Sequence, residues 1–109
     1  QLTGDDATTL AFMTYGGHGS ISVTSNIAPK LCSQFMQLCL SKDFAEAAKI
    51  NDKLMPLHHA LFVESSPGPV KYAASKLGLC GEEIRLPLTL ISDETKVLVD
   101  KALKHASLI

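Results

Sequence analysis

Apolar residues recur every three or four positions along most of this 109-residue chain, the spacing that gathers them on one face of a helix. Leu10, Phe12 and Met13 give a first short helix an apolar side, after Gly4 and the acids Asp5 and Asp6, either of which suits a helix start. Gly16 and Gly17 stop it. Leu31, Phe35, Leu38 and Cys39 predict a second helix over about Ala28–Leu40, with Pro29 in its first turn, where a missing N–H costs nothing. The longest stripe is Phe44, Ala47, Ile50, Leu54, Leu57 and Leu61, a helix from Phe44 to about Phe62 capped by Asp43. Pro56 falls inside it and is expected to kink or split it near Met55. A loop over Glu64–Pro69 leads to a short helix from Pro69 to about Leu77, ended by Gly78. Leu79–Leu90 reads as extended. Ser92, Asp93 and Glu94 open a last helix, and Lys101, Lys104 and His105 suit its negative end.

One stretch breaks this period. Gly16–Asn26 (GGHGSISVTSN) has glycines on one side, the β-branched pair Ile21 and Val23 in alternation, and cap residues on the other, so it reads as a buried strand. Everything before it reads as one short helix. A lone strand leaves its backbone donors and acceptors without neighbours, so the chain is expected to be incomplete, its strand pairing with strands outside these residues. A helix–strand–helix opening followed by helices suits the last turn of an α/β barrel with a helical extension.

Composition narrows the function classes. A hydrophobic share of 46% and a charged share of 19% are those of a folded domain. A formal net charge of −1 offers no basic field for nucleic acid or an anionic membrane. The apolar runs are too short to span a bilayer. Cys32, Cys39 and Cys80 are an odd number without CxxC spacing and read as reduced thiols in a cytoplasmic setting.

TGDD at Thr3–Asp6 and GGHGSISVTSNIAP at Gly16–Pro29 resemble the C-terminal part of the dihydrodipicolinate synthase (4-hydroxy-tetrahydrodipicolinate synthase) family of pyruvate-dependent class I aldolases. The likeness continues through DFAEA at Asp43–Ala47, KLMPLHHALFVE at Lys53–Glu64, PGPVK at Pro67–Lys71, KLGL at Lys76–Leu79, RLPL at Arg85–Leu88 and ALKHA at Ala102–Ala106. Thr3 stands where serine is expected, and Gly68 where an aliphatic residue is usual. The resemblance implies a (β/α)8 TIM barrel with a C-terminal all-helical domain. Residues 1–42 would carry the end of strand 7, helix 7, strand 8 and helix 8, and residues 43–109 the helical domain. It also implies a cytoplasmic homotetramer, without cofactor or metal, that condenses pyruvate with aspartate 4-semialdehyde in lysine biosynthesis. The Schiff-base lysine, the proton-relay tyrosine and the carboxylate-binding arginine of such enzymes lie upstream of Gln1. The expected partner is therefore the N-terminal part of the same enzyme, and the chain alone is expected to be inactive. Carried over by position, the backbone carbonyl of Ile21 faces bound pyruvate and Gly4 lies in the pocket wall, while the Ile21 side chain reads as strand core. An N-acetylneuraminate lyase or a keto-deoxy sugar-acid aldolase shares the implied fold and lysine. A non-catalytic helical assembly module is the reading of another class.

Other candidates reduce to simpler roles. Gly17 and Gly19 precede a strand, whereas phosphate loops come after one, so they read as turn formers. His58 and His59 are adjacent and point to different sides of a helix, whereas metal pairs need a spacing of three or four. Cys32 and Cys39 share a helix face and read as small core residues, although a histidine could meet them. His18 reads as a loop residue. Asp5 and Asp6 read as caps and dipole partners, not as an acid–base pair. Lys30, Lys53 and Lys71 lie on solvated faces, where nothing lowers an amine's pKa for Schiff-base chemistry.

Overall fold

The computed structural model describes residues 1–109, in an elongated body of 40 × 27 × 21 Å. Its order is β1 (Leu2–Thr3), a 3-10 turn at Asp6–Thr8, α1 (Thr9–Thr14), β2 (Gly19–Ser20), a 3-10 turn at Thr24–Asn26, α2 (Pro29–Leu40), α3 (Phe44–Ala60), α4 (Gly68–Lys76) and α5 (Asp93–His105). No helix is long and apolar enough to cross a membrane.

Two expectations about the strand are corrected. It is not alone: β1 pairs with β2 in parallel, Leu2 opposite Gly19 and Thr3 opposite Ser20. At two residues, β1 is too short for any alternation to show in the sequence. Nor does the strand run through Val23. It ends at Ser20, and the Ile21 side chain just past it is 72% exposed within these 109 residues. Val23 instead leads into the second 3-10 turn. β-branching favours a pleated, half-buried surface but does not fix where a strand ends, and this chain leaves most of Ile21 uncovered.

Gly16 and Gly17 form the turn before β2, whereas Gly19, also expected in a turn, lies in β2 opposite Leu2. Gly16 takes φ +93, open to glycine at no cost. A Cβ at Gly17 would overlap the ring of Phe12, so the chain closes tightly on α1.

The helices match their stripes. Leu54, Leu57 and Leu61 are buried and join Ile27, Val70, Tyr72, Val99 and Leu103 in the main core, where α3, α4 and α5 meet. A smaller cluster of Met13, Phe35, Cys39 and Ala47 ties α1 and α2 to the start of α3. Asp43 caps α3 by accepting the Glu46 N–H at 3.3 Å, and Ser92 caps α5 by accepting the Thr95 N–H at 3.2 Å. Pro56 does not split α3, which continues from Phe44 to Ala60. The carbonyl it leaves unbonded, four residues earlier on Asp52, lies on the same exposed face, where water can satisfy it.

Candidate functional site

The two strands end side by side, and the residues just past each end build the site. The Ile21 N–H donates to the Thr3 carbonyl at 2.9 Å. In a parallel ladder the next rung would bring the Asp5 N–H to the Ile21 carbonyl. That rung is missing, because the Asp5 N–H turns to its own neighbour, Thr3 Oγ1, at 3.2 Å. Threonine in place of the expected serine keeps the hydroxyl that does this. The Ile21 carbonyl therefore accepts nothing from the chain, and the Ser22 N–H donates to nothing. A whole peptide group stands unpaired at the strand mouth. Gly4 lies beside it, with no atom within 4 Å of where a Cβ would sit.

The turn behind that peptide is tightly held. Asp6, 8% exposed, places Oδ2 2.9 Å from the Val23 N–H and 3.1 Å from the Thr24 N–H, accepting from both. Asp6 thus caps a turn 17 residues away, not its own helix, which corrects the local-cap reading. Asp5 occupies the cap position of the first 3-10 turn, and its carboxylate accepts from Thr8 Oγ1. Thr24 is fully buried, and its hydroxyl lies 2.7 Å from His58 Nδ1 on α3. Ser22 and Ser25 close the loop, the Ser25 N–H donating to Ser22 Oγ and the Ser25 hydroxyl to the Ser22 carbonyl.

A cavity of about 360 Å³ opens between this loop and α2, with Asp6, Ser22, Cys32 and His58 in its lining. Burial pushes the Cys32 thiol up to about 11, helped by the negative charge of Asp6 and opposed by a hydrogen bond with Ser22. A thiol held protonated is a poor nucleophile and a poor metal ligand. Burial lowers the pKa of His58, with the Asp6 carboxylate acting against it. No group of three or more His, Cys, Asp or Glu side chains converges as a metal site.

The remaining candidates scatter. His59 is exposed on α3 and His18 in its turn. Cys39 is packed in the smaller cluster among Met13, Phe35 and Ala47. Lys30 is exposed, and Lys53 and Lys71 are half-buried, none enclosed in a pocket. Sequence reasoning missed the link from Asp6 through Thr24 to His58. Its partners are 18 and 34 residues apart. The only signal in the sequence was a histidine on the apolar stripe, one position after Leu57.

The chain is 55% identical over its whole length to a 4-hydroxy-tetrahydrodipicolinate synthase of Bartonella henselae, covering 37% of that protein. It is 57% identical to the one from Roseobacter denitrificans, covering 38%. Among solved structures, a chloride-inhibited dihydrodipicolinate synthase from Acinetobacter baumannii, complexed with pyruvate, superposes with a TM-score of 0.94 at 42% identity, over 99% of this chain and 37% of that one. The chain thus spans little more than a third of the length of the relatives it matches, and over that span it shares the mixed α/β fold of these enzymes. The family model of the dihydrodipicolinate synthetases matches residues 1–106, and the chain belongs to that family.

Proposed function

We propose that this chain is the C-terminal part of a (β/α)8-barrel lyase that condenses pyruvate with aspartate 4-semialdehyde to 4-hydroxy-tetrahydrodipicolinate. In this reading residues 1–42 supply the end of strand 7, helix 7, strand 8 and helix 8, and residues 43–109 form the helical domain. The reaction belongs to lysine biosynthesis in the cytoplasm, and the working form is a homotetramer. A lysine in the preceding part of the enzyme attacks the C2 carbonyl of pyruvate and loses water to form the Schiff base. This chain contributes pocket wall: the Ile21 carbonyl faces bound pyruvate and accepts from the N–H of its protonated Schiff base, and Gly4 keeps the adjoining wall free of a side chain.

The observation that carries this reading is the unpaired Ile21–Ser22 peptide at the mouth of two parallel strands. Catalytic surfaces of such barrels are built at the C-terminal ends of the strands. The exposed apolar side chains of Leu2 and Ile21 fit it as well, since they await cover from the rest of the barrel.

The test is borohydride reduction of the full-length enzyme with pyruvate, followed by peptide mass mapping. The expected result is one reduced pyruvate adduct on a lysine outside residues 1–109, with turnover of aspartate semialdehyde in preference to sugar-acid aldehydes. An adduct on Lys30, Lys53 or Lys71, or no adduct, would overturn the assignment.

A further inference from the structure

Resting on that reading, we propose that Asp6 is a positioning residue. It fixes the Val23–Thr24 turn so that the Ile21 carbonyl is held ready for the N–H of the pyruvate Schiff base, and His58 locks the turn from behind through Thr24.

The free peptide is bracketed on both sides. Before it, the Ile21 N–H is fixed on the Thr3 carbonyl at 2.9 Å. After it, two consecutive amides converge on a single carboxylate oxygen, Asp6 Oδ2. An unpaired carbonyl at an open mouth would ordinarily be free to turn, because water can satisfy it in many orientations. With both flanking peptides pinned, this one has little freedom to turn away. A preorganised acceptor loses less ordering entropy when the ligand arrives and needs no reorganisation. Asp6 performs this from beneath the turn, without touching the mouth itself.

Charge and position make opposite predictions here. If Asp6 acts by position, Asp6→Asn should serve almost as well, since one amide oxygen can accept both N–H groups. Asp6→Glu should not, since it keeps the charge but displaces the acceptor by a methylene. In the full-length enzyme we expect Asp6→Ala and Asp6→Glu to raise KM for pyruvate by about ten-fold. Asp6→Asn should stay within about three-fold of wild type. Val99→Ala, a core truncation on α5 far from the strand mouth, should lower Tm and leave KM for pyruvate unchanged; it separates positioning from general destabilisation. Should Asp6→Ala fail to fold, the Asn and Glu pair decides alone. The proposal is overturned if Asp6→Asn loses pyruvate affinity as Asp6→Glu does, if neither changes it, or if Val99→Ala reproduces the shift. Failure of the underlying reading looks different: wild-type enzyme would then trap no pyruvate under borohydride.

Discussion

Thr24 and His58 illustrate how two polar side chains share one burial. Each would be costly to bury alone, and together they satisfy one another at 2.7 Å. Thr24→Val keeps the shape and removes the hydroxyl, leaving the His58 ring nitrogen without its partner. It should destabilise the protein by about 1–3 kcal/mol, read from denaturant midpoints. His58 also carries a pH signature. Its folded-state pKa lies below its unfolded value of 6.5, chiefly through burial. The unfolded chain therefore binds the proton first as pH falls. The stability His58 contributes is fully present above pH 6.5 and is lost as pH drops below it towards the folded pKa. His58→Gln should flatten that part of the stability–pH curve. An unchanged slope between neutral pH and about pH 5 would show that His58 does not carry it.

Among the helices, α3 shows a local rule giving way to packing. Pro56 removes one backbone bond, but both Pro56 and Asp52 lie on the exposed face, while Leu54, Leu57 and Leu61 are anchored on the other. The buried stripe holds the helix together through the break. Pro56→Ala should therefore stabilise the protein, by up to about 3 kcal/mol if the restored bond is fully made. A lower Tm in that variant would mean that the proline ring itself packs productively. The ends of α3 and α5 were legible because capping is local. Asp43 and Ser92 each accept from an N–H three residues on, a relation that sequence spacing displays directly. Asp6 looks the same in sequence, an acid at a helix start, yet its acceptor serves a turn 17 residues later.

In the molecule as a whole, the two clusters are unequally complete. The main core closes within this chain, with Leu54, Leu57, Leu61, Val99 and Leu103 fully buried. The two-strand sheet does not: each strand is two residues long, and Leu2 within it and Ile21 beside it stand exposed. So short a pair is marginal in water. Hydrogen exchange on residues 1–109 alone should find α3 and α5 protected and the strand residues 1–4 and 18–22 nearly unprotected, and adding the N-terminal part proposed above should protect both. Equal protection of the strands in the isolated chain would mean that the sheet is self-sufficient.

The sequence by itself determined the helices, the caps at Asp43 and Ser92 and the family resemblance, because apolar period, capping and motif are carried by neighbouring residues. It also pointed to the Gly16–Asn26 stretch as the centre of the chain. Where the strand stops, why the Ile21 carbonyl is free and what holds it were decided only in three dimensions. Thr3, Asp6 and His58 are far from Ile21 in sequence, and each acts through directed hydrogen bonds. A hydrogen bond depends on where two atoms come to lie, and for distant residues only the packed fold settles that.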